Sequence, residues 1–278
     1  MLPPLVLVLV PAAIAFLVGI IATPILTHYL YAYKAWKKRP GKQAFDGNVA
    51  HEFNRLHAEN EVRAPRMGGI VVWGSVVITT LGISGIAYLF PSPSIFQLDF
   101  LSRSQTWLPL ATLIVGACVG LLDDMMVIRP NGEGLRLRHR LLIVITLSSF
   151  IGWWFWEKLD VTAVNIPFSS PFELGWFIIP FFVFVSLALY ASGVIDGIDG
   201  LSGGVFASIF ASYTIIAFTE MQLDLAAFCA AVVGGLLAFL WFNIPPARFY
   251  MGDTGTMALT LSLSVVVFMT DTLGGGIG

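Results

Sequence analysis

The chain has 278 residues, of which 57% are hydrophobic and only 12% charged, with a formal net charge of −2. A mean hydropathy of +0.83 exceeds what a soluble core of this length uses, which excludes a soluble globular protein and points to a polytopic membrane protein. Cys118 and Cys229 lie inside apolar runs and make neither a disulfide framework nor a metal-binding cluster, and no nucleic-acid partner is expected.

A hydrocarbon core takes about 20 apolar residues per helix. Runs of that kind fall at roughly 2–29, 67–90, 107–122, 141–157, 172–192, 201–219, 223–243 and 254–272. The expected fold is therefore an all-α transmembrane bundle of about eight spans, forming one integral membrane domain over 1–278. The first segment lacks a basic leader and is followed by Lys34, Lys37, Lys38 and Arg39, so it reads as a retained span with its N-terminus outside. The loop at about 30–66 is too short for a domain and reads as an interfacial, partly helical segment whose basic residues face anionic headgroups. Pro91-Ser92-Pro93 and the stretch 166–171 are outer turns, and Pro180 predicts a kinked or interrupted fifth span. This arrangement puts 13 of the 15 Lys and Arg residues on the inner side, leaving only Arg103 and Lys158 outside.

Three acidic motifs then reach the same cytoplasmic face: Asp123-Asp124, Asp196-Gly197-Ile198-Asp199-Gly200 and Met251-Gly252-Asp253. Carboxylates at a membrane boundary are costly to desolvate, so a gathering of them marks a cation, a phosphate or a proton path. Adjacent residues on a helix diverge by about 100 degrees, so Asp123 and Asp124 need not share one role. The glycines around Asp196 and Asp199 permit close backbone approach to a ligand, and a helix starting at Leu201 would offer its N-terminus to a phosphate. Asp253 is suited either to capping the following helix or to holding a divalent ion. Arg129, Arg136, Arg138 and Arg140 follow the Asp pair, and arginine forks suit phosphate oxygens as well as setting topology. Acidic residues for a divalent ion, basic residues for phosphates and access to the bilayer together fit phosphoryl transfer between a soluble nucleotide and a lipid.

Arg63-Ala-Pro65-Arg-Met67-Gly-Gly69, Gly120-Leu-Leu-Asp123-Asp124, Asp196-Gly-Ile-Asp199-Gly-Leu201, Asn243 and Tyr250-Met-Gly-Asp253-Thr-Gly255 occur in this order. The pattern resembles the polyprenyl-phosphate N-acetylhexosamine-1-phosphate transferases over about residues 50–260, and within them the phospho-N-acetylmuramoyl-pentapeptide transferases. The resemblance implies a Mg-dependent transfer of phospho-sugar from a UDP-sugar to polyprenyl phosphate, releasing UMP, at the cytoplasmic face of a bacterial inner membrane. With a muramoyl-pentapeptide donor the product is lipid I, for peptidoglycan synthesis.

By motif position, Asp253 resembles the metal-binding aspartate, while Asp123 and Asp124 resemble the essential pair, either of which could add a metal ligand. Asp196, Gly197 and Asp199 match the nucleotide-side motif, and Asn243 matches the active-site asparagine. Tyr250 falls where an aromatic ring stacks on uracil, and Arg140 where a lysine is frequent. Tyr190 and Gly193 replace two asparagines of the pattern, removing polar groups from the site. The late histidine-rich loop of the family has no counterpart before Gly278, which implies a C-terminally truncated chain.

The expected reaction is attack by the lipid phosphate on the β-phosphorus of the UDP-sugar, with Asp123 as candidate base. UDP-N-acetylglucosamine is the alternative donor. An inactive homologue that binds lipid or a partner is the alternative of another class, and a homodimer is compatible with either. A secondary transporter is disfavoured, because its carboxylates would lie near the bilayer midplane rather than at one face.

Overall fold

The computed structural model describes residues 2–36, 64–101, 105–129, 134–164, 172–192 and 198–270. The described helices are α1 (Pro4–Ala32), α2 (Gly69–Leu89), a short α3 (Pro93–Leu98), α4 (Trp107–Val127), α5 (Leu137–Lys158), α6 (Ile178–Ser192), α7 (Leu201–Thr219), α8 (Leu223–Asn243) and α9 (Gly252–Met269). Seven of them are long and apolar enough to cross a membrane, and α6 with the 3-10 turn before it makes an eighth, shorter apolar helix. The protein is a polytopic helical bundle, as its composition requires. Strand structure among the described residues amounts to a two-residue antiparallel pair, Ala163–Val164 with Phe172–Glu173.

Two packed groups share the bundle. In one, α8 lies against α1 and α7; in the other, α9 lies against α4 and α6, and α5 covers α6, while α2 touches α1, α8, α4 and α9 and so joins the groups. Along α1 the buried positions include Ala15, Gly19 and Thr23, whereas Leu5, Leu9, Leu17, Ile21 and Ile25 face outward. Small residues inside and large aliphatics outside are expected where lipid removes any hydrophobic drive for helix association and close packing must supply it. A Cβ at Gly19 would strike Ala238 of α8, and one at Gly234 would strike the Ala12 carbonyl of α1. In the other group Phe155, Phe182 and Phe268 tie α5, α6 and α9 together, with ring centroids 4.6 to 6.0 Å apart.

α9 is the central helix, with 94% of its span buried. It is also rich in hydroxyls, which are returned to its own backbone: Thr256 Oγ1 to the Gly252 carbonyl, Thr260 to Thr256 and Ser264 to Thr260, at 2.8 to 3.2 Å. Ser262 instead donates across to the Pro109 carbonyl of α4 at 3.1 Å. These buried α9 hydroxyls are tolerated because each finds an acceptor.

Several expected boundaries shift for identifiable reasons. The third span continues past the Asp pair to Val127, because Asp123 and Asp124 are buried and paired rather than exposed at a helix end. The fourth begins at Leu137 and takes Arg140 into its first turn. Pro180 makes no kink: it sits in the first turn of α6, where an N–H has no intrahelical partner to lose. Pro91-Ser92-Pro93 opens α3 rather than a simple turn, with the Ser92 hydroxyl accepting from the Ile95 amide at 3.3 Å and Pro93 as first helical residue. The expected outer turn at 166–171 and the interfacial helix within 37–63 lie outside the described residues.

Candidate active site

One end of the bundle brings together the last turns of α4, the first turns of α5 and α9, and the segment that leads into α2. Five charged side chains meet there. Asp123 and Asp124 leave α4 toward different partners. Asp123 Oδ1 accepts from the Leu135 amide at 2.6 Å, and its Oδ2 pairs with Arg140 Nη2 at 2.7 Å. Asp124 Oδ1 pairs with Arg66 Nε at 3.1 Å, and its Oδ2 accepts from the Thr254 amide at 2.9 Å and also from the Asp253 amide. Asp124 thereby caps α9 from a neighbouring helix, placing a carboxylate where free N–H groups and the positive dipole end favour one.

Asp253 is the second residue of α9, and its side chain does not cap that helix. Its Oδ1 meets Arg140 Nη1 at 3.3 Å and its Oδ2 meets Arg66 Nη2 at 3.4 Å. Each oxygen of the three aspartates thus faces a protein nitrogen, and two guanidiniums against three carboxylates leave one formal negative charge. Within this ring the side chains of Asp123 and Asp124 are fully buried, whereas that of Asp253 is 15% exposed and has the longest contacts.

Glycines let these backbones approach. A Cβ on Gly120 of α4 would land on the Asp253 carbonyl, and one on Gly69 would meet the backbone of Gly255. Gly252 has φ +73°, a left-handed conformation that directs the chain past the Asp124 carboxylate into α9. The Arg140 guanidinium is further held by its Nε donating to the Leu135 carbonyl at 3.0 Å and by a hydrogen bond with the Tyr190 hydroxyl. The replacement at Tyr190 therefore does not strip the site of a polar group, because a hydroxyl from α6 reaches Arg140.

A second cluster adjoins the first. The Asp199 carboxylate accepts from the Ala247 amide and from the Tyr250 hydroxyl, both at 3.1 Å. Buried Asn243 accepts from the Gly200 amide at 2.9 Å and donates to the Phe249 carbonyl at 2.7 Å, joining the start of α7 to the segment after α8. Asp199 does not cap α7, whose preceding residue is Gly200 at φ +76°. The ring of Tyr250 is buried, and its backbone grips both sides of Arg66, with the Tyr250 amide donating to the Pro65 carbonyl and the Gly68 amide donating to the Tyr250 carbonyl at 2.8 Å. Asp196 and Gly197 lie outside the described residues.

Of the expected site residues, the structure joins Asp123, Asp124, Asp253 and Arg140 in one ring and Asp199, Asn243 and Tyr250 in the adjoining cluster. Arg66 is the site residue that sequence reasoning missed. Its position between Pro65 and Met67-Gly68-Gly69 was the available signal, but it reads there as one more topology-setting charge. Among the described residues no three Asp, Glu, His or Cys side chains form a ready metal cage. Magnesium needs no such cage, since it binds through one or two carboxylates while keeping waters and phosphate oxygens. Asp253, the most exposed and most loosely held of the three, fits that requirement.

The family described as glycosyl transferase family 4 matches residues 106–271. The chain is 31% identical to the phospho-N-acetylmuramoyl-pentapeptide-transferase of Listeria monocytogenes over 91% of its own length and 72% of that protein. It is 31% identical to the protein of the same name in Bacillus mycoides, over 94% of the chain and 74% of the relative. With the one in Geobacillus thermodenitrificans the identity is 29%, over 95% and 75%.

Proposed function

Because this chain belongs to glycosyl transferase family 4, we propose that it transfers phospho-N-acetylmuramoyl-pentapeptide from its UDP-sugar to polyprenyl phosphate, giving lipid I and UMP. It is a phospho-sugar transferase embedded in the membrane, and the likeness to transferases of that name along nearly its whole length carries the reading. The ring of Asp123, Asp124, Asp253, Arg66 and Arg140 supports it as a site for phosphate chemistry at one end of the bundle.

In the proposed reaction an oxygen of the polyprenyl phosphate attacks the β-phosphorus of the UDP-sugar. The bond from that phosphorus to the bridging oxygen breaks, and UMP leaves with the oxygen. A polyprenyl phosphate is largely ionised near neutral pH, so positioning and charge neutralisation matter more than proton removal. Asp253 is the residue assigned to hold a magnesium ion, which when bound neutralises the diphosphate and the departing UMP. Asp123 could serve as base only after parting from Arg140, so we assign it and Asp124 to anchoring the two arginines. Asp199, Asn243 and Tyr250, with Asp196 and Gly197, are assigned to the nucleotide side. The partition of basic residues supports a site facing the cytoplasm.

The test is to incubate the detergent-solubilised protein with polyprenyl phosphate, Mg²⁺ and UDP-N-acetylmuramoyl-pentapeptide while following UMP and the lipid-linked product. Both should appear together. UMP released only from UDP-N-acetylglucosamine would move the donor to the alternative sugar, and no UMP from either donor would reject the reading.

A further inference from the structure

The buried stripes of α5 and α6 run antiparallel and meet at fixed levels. A Cβ on Gly152 of α5 would lie 3.2 Å from both the Ile179 Cα and the Phe182 Cβ of α6, and Val144 shares a buried apolar cluster with Tyr190 and Met257. Gly152 with Phe182 and Val144 with Tyr190 thus mark two levels of one interface. Midway between them, four residues from each, stand Ser148 on α5 and Ser186 on α6. Both serines are buried, at 0% and 1% exposure, and neither hydroxyl has a hydrogen-bond partner among the described residues. Exposed Thr146 of the same α5 shows the ordinary solution, returning its hydroxyl to the Leu142 carbonyl at 2.8 Å. The rings of Phe155, Phe182 and Phe268 fill the level on one side, and Val144, Tyr190 and Met257 fill the other. The serine level is therefore walled by apolar layers and carries smaller side chains from α5 and α6 than either neighbour does. An uncompensated hydroxyl is costly in such surroundings.

We propose that Ser148 and Ser186 form a binding site for one buried water molecule, held between their hydroxyls, that bridges α5 to α6 in the interior of the bundle. No hydrogen bond joins the two serines directly. A buried water takes about two to four polar partners, and two hydroxyls that can each donate and accept supply them. Lipid gives helices no hydrophobic drive to associate, so a polar bridge of this kind fixes the register of α5 on α6. That register brings Arg140, in the first turn of α5, to the Tyr190 hydroxyl of α6. The site does not depend on which substrates the protein turns over.

The experiment is a double-mutant cycle on the purified full chain, read as thermal unfolding in detergent, together with a metal probe. Ser148→Ala and Ser186→Ala each leave the water and the opposite hydroxyl a partner short, so each should lower the unfolding temperature by about 2–4 °C. The double variant removes both hydroxyls, and with them the need for the water, and should fall no further than the less stable single variant. Hg²⁺ joins two thiolates in a line and spans a gap similar to that of a bridging water. Ser148→Cys/Ser186→Cys in a Cys118→Ala background, which keeps only buried Cys229, should therefore retain one Hg²⁺ against a competing thiol. Either cysteine alone in that background should lose it. Drops that add in the double variant, or single variants as stable as wild type, would overturn the bridge and give each hydroxyl a carbonyl of its own helix. Failure of the cysteine pair to hold Hg²⁺ would overturn the facing of the two serines, and the site with it.

Discussion

The Thr254 amide donates to the Asp124 carboxylate at 2.9 Å, so the helix carrying Asp253 is capped by a residue of α4, 130 positions earlier in the chain. Two variants separate the cap from the charge. Asp124→Asn keeps an acceptor for the α9 amides but loses the ion pair to Arg66, whereas Asp124→Ala loses both. Removing one partner of a buried ion pair costs about 3–5 kcal/mol, and loss of a helix cap costs about 1 kcal/mol more. Thermal unfolding in detergent should rank wild type above Asp124→Asn and Asp124→Asn above Asp124→Ala. Equal stability of the two variants would show that the cap contributes nothing.

Asp253→Asn should behave differently. Its contacts are the longest in the ring and its removal leaves two carboxylates facing two guanidiniums, so the unfolding temperature should stay near that of wild type. Mg²⁺-dependent UMP release should nevertheless disappear, since an amide keeps the shape but not the charge that a hard cation needs. Retained turnover would make Asp253 a tether for arginines and nothing more.

Tyr250 couples nucleotide recognition to the Arg66 segment. Tyr250→Ala should weaken UDP binding by about 1–3 kcal/mol if the ring stacks on the base. Tyr250→Phe keeps the ring but leaves Asp199 without its hydroxyl donor, a loss of about 1 kcal/mol in stability with UDP affinity retained. Equal loss of UDP affinity in both variants would transfer the role from the ring to the hydroxyl. Calorimetry with UDP distinguishes the outcomes.

The orientation can be read with single cysteines in a Cys118→Ala background, since Cys118 is exposed and Cys229 buried. Cysteines at Arg136 and Arg248, both exposed at the site end, should be blocked only by reagents that enter the cell. A cysteine at Phe96 in α3, at the opposite end, should react from outside. Outside labelling at Arg136 or Arg248 would invert the topology.

Much of the bundle is legible from apolar runs alone, and α7 and α8 begin and end at the expected residues because polar or turn-forming residues bound them. An apolar count makes the span before the Asp pair too short, because it stops at a charge. Asp123 and Asp124 are accommodated inside the protein by partners 12 to 130 residues away, which no local pattern reveals. The same limit hid Arg66: a guanidinium that sets topology and one that pairs with two buried carboxylates look identical in one dimension. The acidic motifs were recognisable as a site, whereas their division into a ring around two arginines and a separate Asn243–Asp199–Tyr250 cluster required the fold.

The hydroxyl-lined, deeply enclosed α9 has a bearing on how the protein is made. Its most apolar stretch averages 1.4 in hydropathy against 3.0 for α1, so it gains comparatively little from being surrounded by acyl chains and depends on contacts with α2, α4 and α6. In order of synthesis it also follows α2, α4 and α6, the described helices it packs against most. The helices α2 and α4 that wall it are both more apolar, at 2.0 and 1.9, so α9 is seated against segments that the bilayer holds more firmly than it holds α9 itself. In the assembled bundle Asp253, in the first turn of α9, faces the guanidiniums of Arg66 and Arg140 rather than acyl chains.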